Sequence, residues 1–155
     1  MVQFSNPPKP TTKADVVAIA RTWLGTPYIH QASKLDVGCD CLGLLRGVWE
    51  SIYDKEAETP PNYTPVWAEL KLNGEEPLLD AAREHLIEIP LADAVPGDVF
   101  LVRIRNQSSV KHCGLIMPDN KIIHAYDRHN VVEEHMRNNW KARNLYAFSF
   151  PGVTD

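Results

Sequence analysis

Three residues of this chain have the types and settings needed for covalent chemistry: a cysteine at a turn-to-helix junction, Cys41, and two histidines in apolar stretches far downstream, His112 and His124. An ordinary thiol has a pKa of about 8.5, so near neutrality it is mostly protonated and a weak nucleophile. In the first turn of a helix it becomes more acidic, because unpaired backbone N–H groups and the positive end of the helix dipole stabilise its thiolate. The run Gly38-Cys39-Asp40-Cys41-Leu42-Gly43 supplies that setting, since Asp40 is a favourable N-cap and puts Cys41 in the first turn. The turn formed by Asp40, Leu42 and Gly43 also offers N–H donors suited to the oxyanion of a tetrahedral intermediate. Gly43, lacking a side chain, is expected to let a substrate backbone approach.

His112 lies in Lys111-His112-Cys113-Gly114-Leu115-Ile116-Met117 and His124 in Ile122-Ile123-His124-Ala125-Tyr126, two strand-like runs joined by a short turn. An unpaired imidazole in such a run is costly, so each ring needs a partner. Whether they share a face depends on the turn: a connection of two or four residues puts them on opposite faces, and one of three or five aligns them. An odd loop around Pro118 to Lys121 is therefore expected, placing the rings side by side. Facing Cys41 together they make nucleophile, base and orienter, with His112 taking the thiol proton and His124 holding the His112 ring. Cys113 is expected on the opposite face from His112, in the core and inert, and Cys39 as a free packing residue. Tyr28 and His30, in the loop that feeds the cysteine turn, are candidates to line the cleft. His85, His129 and His135 read as surface residues.

The elements that must hold these groups follow from periodicity. Leu44, Leu45, Val48, Trp49 and Ile52 form one stripe of a helix that begins at Cys41. Upstream, Thr12 and Asp15 suggest a capped helix carrying Val16, Ile19, Ala20, Trp23 and Leu24 and ending at Gly25; Tyr28 to Val37 reads as a loop. Glu75 to Ile87 reads as a third helix, and Pro96-Gly97-Asp98 as a turn. Beyond it the texture becomes strand-like, at Val99 to Ile104, His112 to Met117, Lys121 to Tyr126, Val131 to His135 and Leu145 to Phe150. Helices first and antiparallel strands second predict an α+β fold. Residues 1–11 read as an extended arm and 12–155 as one domain, with a proline-rich, acidic insert at about 53–77 that is either a flap or a surface lid.

Composition narrows the function. A chain of 155 residues with a formal net charge of -4 and no basic block is not patterned to bind nucleic acid. No apolar run reaches membrane-spanning length and no signal-peptide pattern opens the chain, so synthesis in the cytoplasm without membrane insertion is expected. Three cysteines, an odd number, do not make a disulfide framework.

Asp40-Cys41-Leu42-Gly43-Leu44, His112-Cys113-Gly114-Leu115 and Ile123-His124-Ala125 resemble, in order and spacing, the three motifs of the NlpC-type cysteine peptidases. Gly25-Thr26-Pro27-Tyr28 and Pro96-Gly97-Asp98 are similar to that family's flanking segments, so the likeness covers roughly residues 12 to 150. It implies a papain-like core, in which the nucleophile helix carrying Cys41 packs on an antiparallel sheet carrying the histidines, and cleavage of bacterial peptidoglycan stem peptides, typically between D-γ-glutamyl and a diamino acid; no cofactor is expected. It also implies Cys41 as nucleophile, His112 as base, His124 as third member, and Tyr28 close to the thiol. Leu42 departs from the serine that many relatives carry, and Cys39 is an added cysteine. With Tyr28-Ile29-His30-Gln31-Ala32-Ser33 upstream, the cysteine run looks most like a branch encoded among phage and gene-transfer-agent tail genes. That branch implies delivery to the wall or periplasm by a tail, with tail proteins as partners. Besides the same cysteine chemistry turned to amide hydrolysis elsewhere or to acyl transfer, two rival readings remain: a wall-binding or tail-assembly module with little turnover, and a metal site from Cys39, Cys41, His112 and His124. The metal reading is the weaker, because structural zinc ligands usually pair two to four residues apart.

Overall fold

Thr12 and Asp15 start the first helix by capping each other: the Thr12 side chain accepts the Asp15 N–H at 3.1 Å, and the Asp15 carboxylate accepts the Thr12 N–H at 2.9 Å. This computed structural model describes residues 4–56, 76–103, 110–126, 128–141 and 145–155. Helix α1 (Lys13–Arg21) buries Val16, Val17 and Ala20. It stops at Arg21, short of the expected end at Gly25; the intervening residues form a turn in which Leu24 is exposed and Gly25 takes φ +83°.

The stretch expected as an open loop from Tyr28 folds into a small hairpin, β1 (Ser33–Lys34) on β2 (Gly38–Cys39). It delivers the chain into α2 (Cys41–Tyr53), whose buried stripe is Leu44, Leu45, Val48, Trp49, Ile52 and Tyr53. The expected insert falls largely on residues 57–75, outside the described residues. Helix α3 (Pro77–His85) is shorter than the expected 75–87. Leu86 is buried but extended, and β3 (Ile87–Ile89) pairs with a strand at the far end of the chain. The apolar period runs through this junction unbroken, but a free sheet edge offers Ile87 a ladder that continued helix would forgo.

The remaining strands are β4 (Val99–Val102), β5 (His112–Met117), β6 (Lys121–His124), β7 (Val132–His135) and β8 (Leu145–Ser149), with a short helix α4 (Asn138–Lys141) before the last. They form one antiparallel sheet in the order β3-β8-β4-β5-β6-β7, so the fold is α+β as expected. Side chains alternate across it: Val99, Leu101, Cys113 and Leu115 join α1 and α2 in the main core, while Phe100, Val102, Ile122 and Trp140 form a second cluster. Buried Asp98 locks α1 to the sheet, with its carboxylate 3.1 Å from Lys13 Nζ and accepting from Ser149 Oγ at 2.9 Å and the Val95 N–H at 2.9 Å. Among the described residues no helix is long and apolar enough to cross a membrane.

Candidate active site

Asp40 organises the start of α2. One carboxylate oxygen accepts the Gly43 N–H at 2.7 Å and the other the Gln31 N–H at 2.8 Å, so a single buried side chain both caps the helix and ties the preceding loop to it. The Asp40 carbonyl accepts the Leu44 N–H at 2.9 Å. Two N–H groups of the first turn, those of Cys41 and Leu42, are therefore not claimed by Asp40. The expected role of Gly43 needs correcting on two counts. Its N–H is spent on the cap, and the backbone that comes close to it is the protein's own, because a Cβ there would run into the Ala32 carbonyl oxygen. His30 is half-buried with Nδ1 3.8 Å from Asp40, and Tyr28, Cys41 and Leu42 are half-buried at the margin of the main core, where Tyr28 bridges to Cys39.

The β5–β6 hairpin has the odd loop that the histidines require. Met117 pairs with Lys121 and Leu115 with Ile123, leaving three residues, Pro118 to Asn120, in the turn. Asp119 and Asn120 both adopt left-handed φ, 63° and 59°, a conformation those residue types tolerate. His112 and His124 consequently share a face, and His112 Nε2 lies 2.8 Å from His124 Nδ1. Both are buried. Trp140, Tyr126 and Phe100 wall them in, with ring centroids 5.3, 5.2 and 6.1 Å from that of His112. The Arg137 guanidinium lies over Tyr126 and Trp140, 4.6 and 5.4 Å from their centroids.

Cys41 is partly accessible at the mouth of this arrangement. Its thiol lies 3.9 Å from the Lys111 carbonyl oxygen, next to His112 in the chain. Cys113, on the other face of β5, is buried with Sγ 3.4 Å from the Cys41 carbonyl oxygen, so its one S–H serves either that carbonyl or the Cys41 sulfur. The hydrogen bond from Cys113 does most to pull the Cys41 pKa down to about 5; burial opposes it, the His112 ring and its charge assist, and the Asp40 charge opposes. Cys113 faces the core as expected and its own thiol is pushed well up, first by the bond to Cys41 and then by burial. It is not a bystander, however, since it tunes the neighbouring sulfur. Burial, then the charges of Asp40 and Cys41, raise the Cys39 thiol to about 12, which suits an inert packing residue. Burial first, then the charge of His112, lowers His124 to about 4, so at neutral pH its ring is uncharged.

Sequence reasoning passed over Glu134, whose carboxylate accepts from His124 Nε2 at 2.7 Å, and Trp140, which covers the rings. The strand pattern held a signal for Glu134: on β7 Glu133 and Glu134 must point to opposite faces, and Glu133 is taken by Arg21 at 2.9 Å. Nothing local announced Trp140. Among the described residues no three His, Cys, Asp or Glu side chains come together as metal ligands would.

Residues 25–149 match the NlpC/P60 family, and the chain belongs to it. No curated protein matches the sequence. Among solved structures, the fold is similar to the NlpC/p60 domain of the peptidoglycan hydrolase SagA, with a TM-score of 0.63 and 20% identity over 90% of this chain and 100% of that one. It is also similar to NlpC1 from Trichomonas vaginalis, with a TM-score of 0.60 and 21% identity over 89% of this chain and 43% of that one. An NlpC/P60 family protein from Bacillus cereus gives a TM-score of 0.62 and 15% identity over 89% of this chain and 40% of that one. The chain thus spans less than half the length of the last two. The likeness extends to the papain-like arrangement of a helix packed on an antiparallel sheet.

Proposed function

We propose that this NlpC/P60-family chain is a cysteine peptidase of the bacterial cell wall, hydrolysing peptidoglycan stem peptides with Cys41 as nucleophile, His112 as base and His124 as orienter. The observation that carries the reading is one constellation: a thiol of lowered pKa at the start of a buried helix, beside an imidazole that is itself tied to a second imidazole at 2.8 Å. With His112 Nε2 engaged by His124, Nδ1 is the nitrogen left for the thiol. The resulting thiolate attacks the scissile carbonyl, and the N–H groups of Cys41 and Leu42 receive the oxyanion. His112 then protonates the departing amine and, as the acyl-enzyme is hydrolysed, takes a proton from the attacking water.

Membership of the family and the likeness to the SagA peptidoglycan hydrolase domain support the wall as substrate. The finer reading, cleavage between D-γ-glutamyl and a diamino acid by an enzyme carried on a phage-like tail, rests on the motif resemblance around Cys41 and on Tyr28 to Ser33. Tyr28 and His30 are then the side chains closest to an incoming stem peptide. Purified sacculi incubated with the protein should release fragments whose masses report the bond cut, and Cys41→Ala should release none while keeping the wild-type circular dichroism. Unchanged release by the Cys41→Ala protein would refute the assignment of the nucleophile. Tight binding to sacculi without release by the wild type would favour a wall-binding module.

A further inference from the structure

We propose that Glu134 is a positioning residue that sets the tautomers of both buried imidazoles, and through them decides which nitrogen of His112 presents a lone pair to Cys41. The inference rests on the reading of Cys41 and His112 as nucleophile and base. An ionised carboxylate has no proton to give, so in the 2.7 Å contact with Glu134 Oε1 it is His124 Nε2 that carries the hydrogen. A neutral imidazole has only one N–H, so His124 Nδ1 is then bare and can only accept. The 2.8 Å contact between His124 Nδ1 and His112 Nε2 must therefore be donated by His112. That leaves Nδ1 of neutral His112 as a lone pair, free to take the proton of Cys41. In the product state, thiolate and imidazolium, both nitrogens of His112 carry hydrogen, and the Nε2–H still finds an acceptor in His124. Without the carboxylate, His124 is free to carry its hydrogen on Nδ1, facing His112. The pair then either reverses, with the His112 hydrogen on Nδ1 and its basic site turned away from the thiol, or sets two N–H groups against each other.

The sheet provides the geometry. Ile122 pairs with Glu134 and His124 with Val132, so Glu134 is the diagonal neighbour of His124 on the same face, within reach of a long side chain. Its carboxylate is about half exposed, 44%, while the His124 side chain is fully buried, so the charge stays hydrated while its hydrogen bond reaches inward. Among the described residues, the charged and titratable groups facing the network are His112 from β5, Tyr126 just after β6, Glu134 from β7 and Arg137 beyond it around His124, and Asp40, Cys113 and His112 around Cys41.

The test reads the thiol directly and needs no wall substrate. Iodoacetamide alkylation of Cys41, located by mass spectrometry and followed against pH, gives the midpoint of thiolate formation for wild type, Glu134→Ala and Glu134→Gln. Glu134→Ala should raise the midpoint by about one unit, slowing alkylation about tenfold at pH values below both midpoints. Glu134→Gln, whose amide carbonyl still accepts from Nε2–H, should shift it less. Ring ¹⁵N spectra should show neutral wild-type His124 protonated at Nε2, and a mixture of tautomers in Glu134→Ala. A purely structural role would not move the tautomer. Wild-type His124 protonated at Nδ1, or a folded Glu134→Ala protein whose alkylation profile overlays the wild type, would overturn the proposal. Should Glu134→Ala fail to fold, the wild-type spectrum and the glutamine variant still decide it. Failure to release wall fragments alongside an intact shift in the thiol would count against the substrate and not against Glu134.

Discussion

Replacing Asp40 should separate the stability of the cysteine turn from the acidity of its thiol, because the two respond to this carboxylate with opposite sign. The side chain accepts the Gly43 N–H as an N-cap and the Gln31 N–H from the preceding loop, at 2.7 and 2.8 Å. Loss of an N-cap typically costs about 1 kcal/mol. A hydrogen bond to a charged acceptor adds about 1.5 to 3 kcal/mol. Asp40→Ala should therefore lose about 2 to 4 kcal/mol, which for a chain of this size lowers the melting temperature by roughly 5 to 15 °C. Asp40→Asn keeps one acceptor for Gly43 but turns an amide N–H₂ toward the Gln31 N–H, so about half of that loss is expected. Urea unfolding measures both, and the slope should not change. The thiol should move the other way: the Asp40 charge holds the Cys41 pKa up, so Asp40→Asn should carry the alkylation midpoint below about 5. A stability change under about 0.5 kcal/mol for Asp40→Ala would refute the capping argument. A raised midpoint in folded Asp40→Asn would refute the electrostatic one.

Cys113→Ala removes the largest influence lowering the Cys41 pKa, so the alkylation midpoint should rise from about 5, whereas Cys113→Ser keeps a donor and should stay nearer the wild type. Folding should be weakened by acid in a defined window. His124 is lowered from 6.5 to about 4, so the unfolded chain binds its proton first; stability is complete above pH 6.5 and is lost as pH falls toward 4. Thermal melts across that range check this, and His124→Gln should flatten the dependence between pH 6.5 and 4. Gly43→Ala drives a Cβ into the Ala32 carbonyl, an overpacking that should cost about 1 to 3 kcal/mol in urea unfolding and slow wall hydrolysis by displacing the loop ahead of Cys41.

Much of the site was legible because it is encoded in local patterns. A side chain with two acceptors followed by an apolar stripe of helical period makes a capped, buried helix wherever it packs, and Cys41 necessarily stands in its first turn. The histidine pair was legible for a different reason: two rings twelve residues apart on a hairpin share a face only if the turn is odd, and burial makes any other register expensive. Local patterns misled where a distant partner competed. Ile87 left its helix because β8, some sixty residues on, offered it a sheet edge. Gly43 looked open because the sequence says nothing of the Ala32 carbonyl folded over it.

The order of chemical groups along the chain, the helix that presents the thiol and the parity that aligns the imidazoles were determined by the sequence itself, since each depends on the chemistry and spacing of neighbouring residues. Only the tertiary structure decided what surrounds them: Cys113 against Cys41, Trp140 over the rings, and Glu134 behind His124. Those contacts join side chains brought together by strand pairing and sheet packing, and no spacing rule within one segment specifies which residue of another will arrive there.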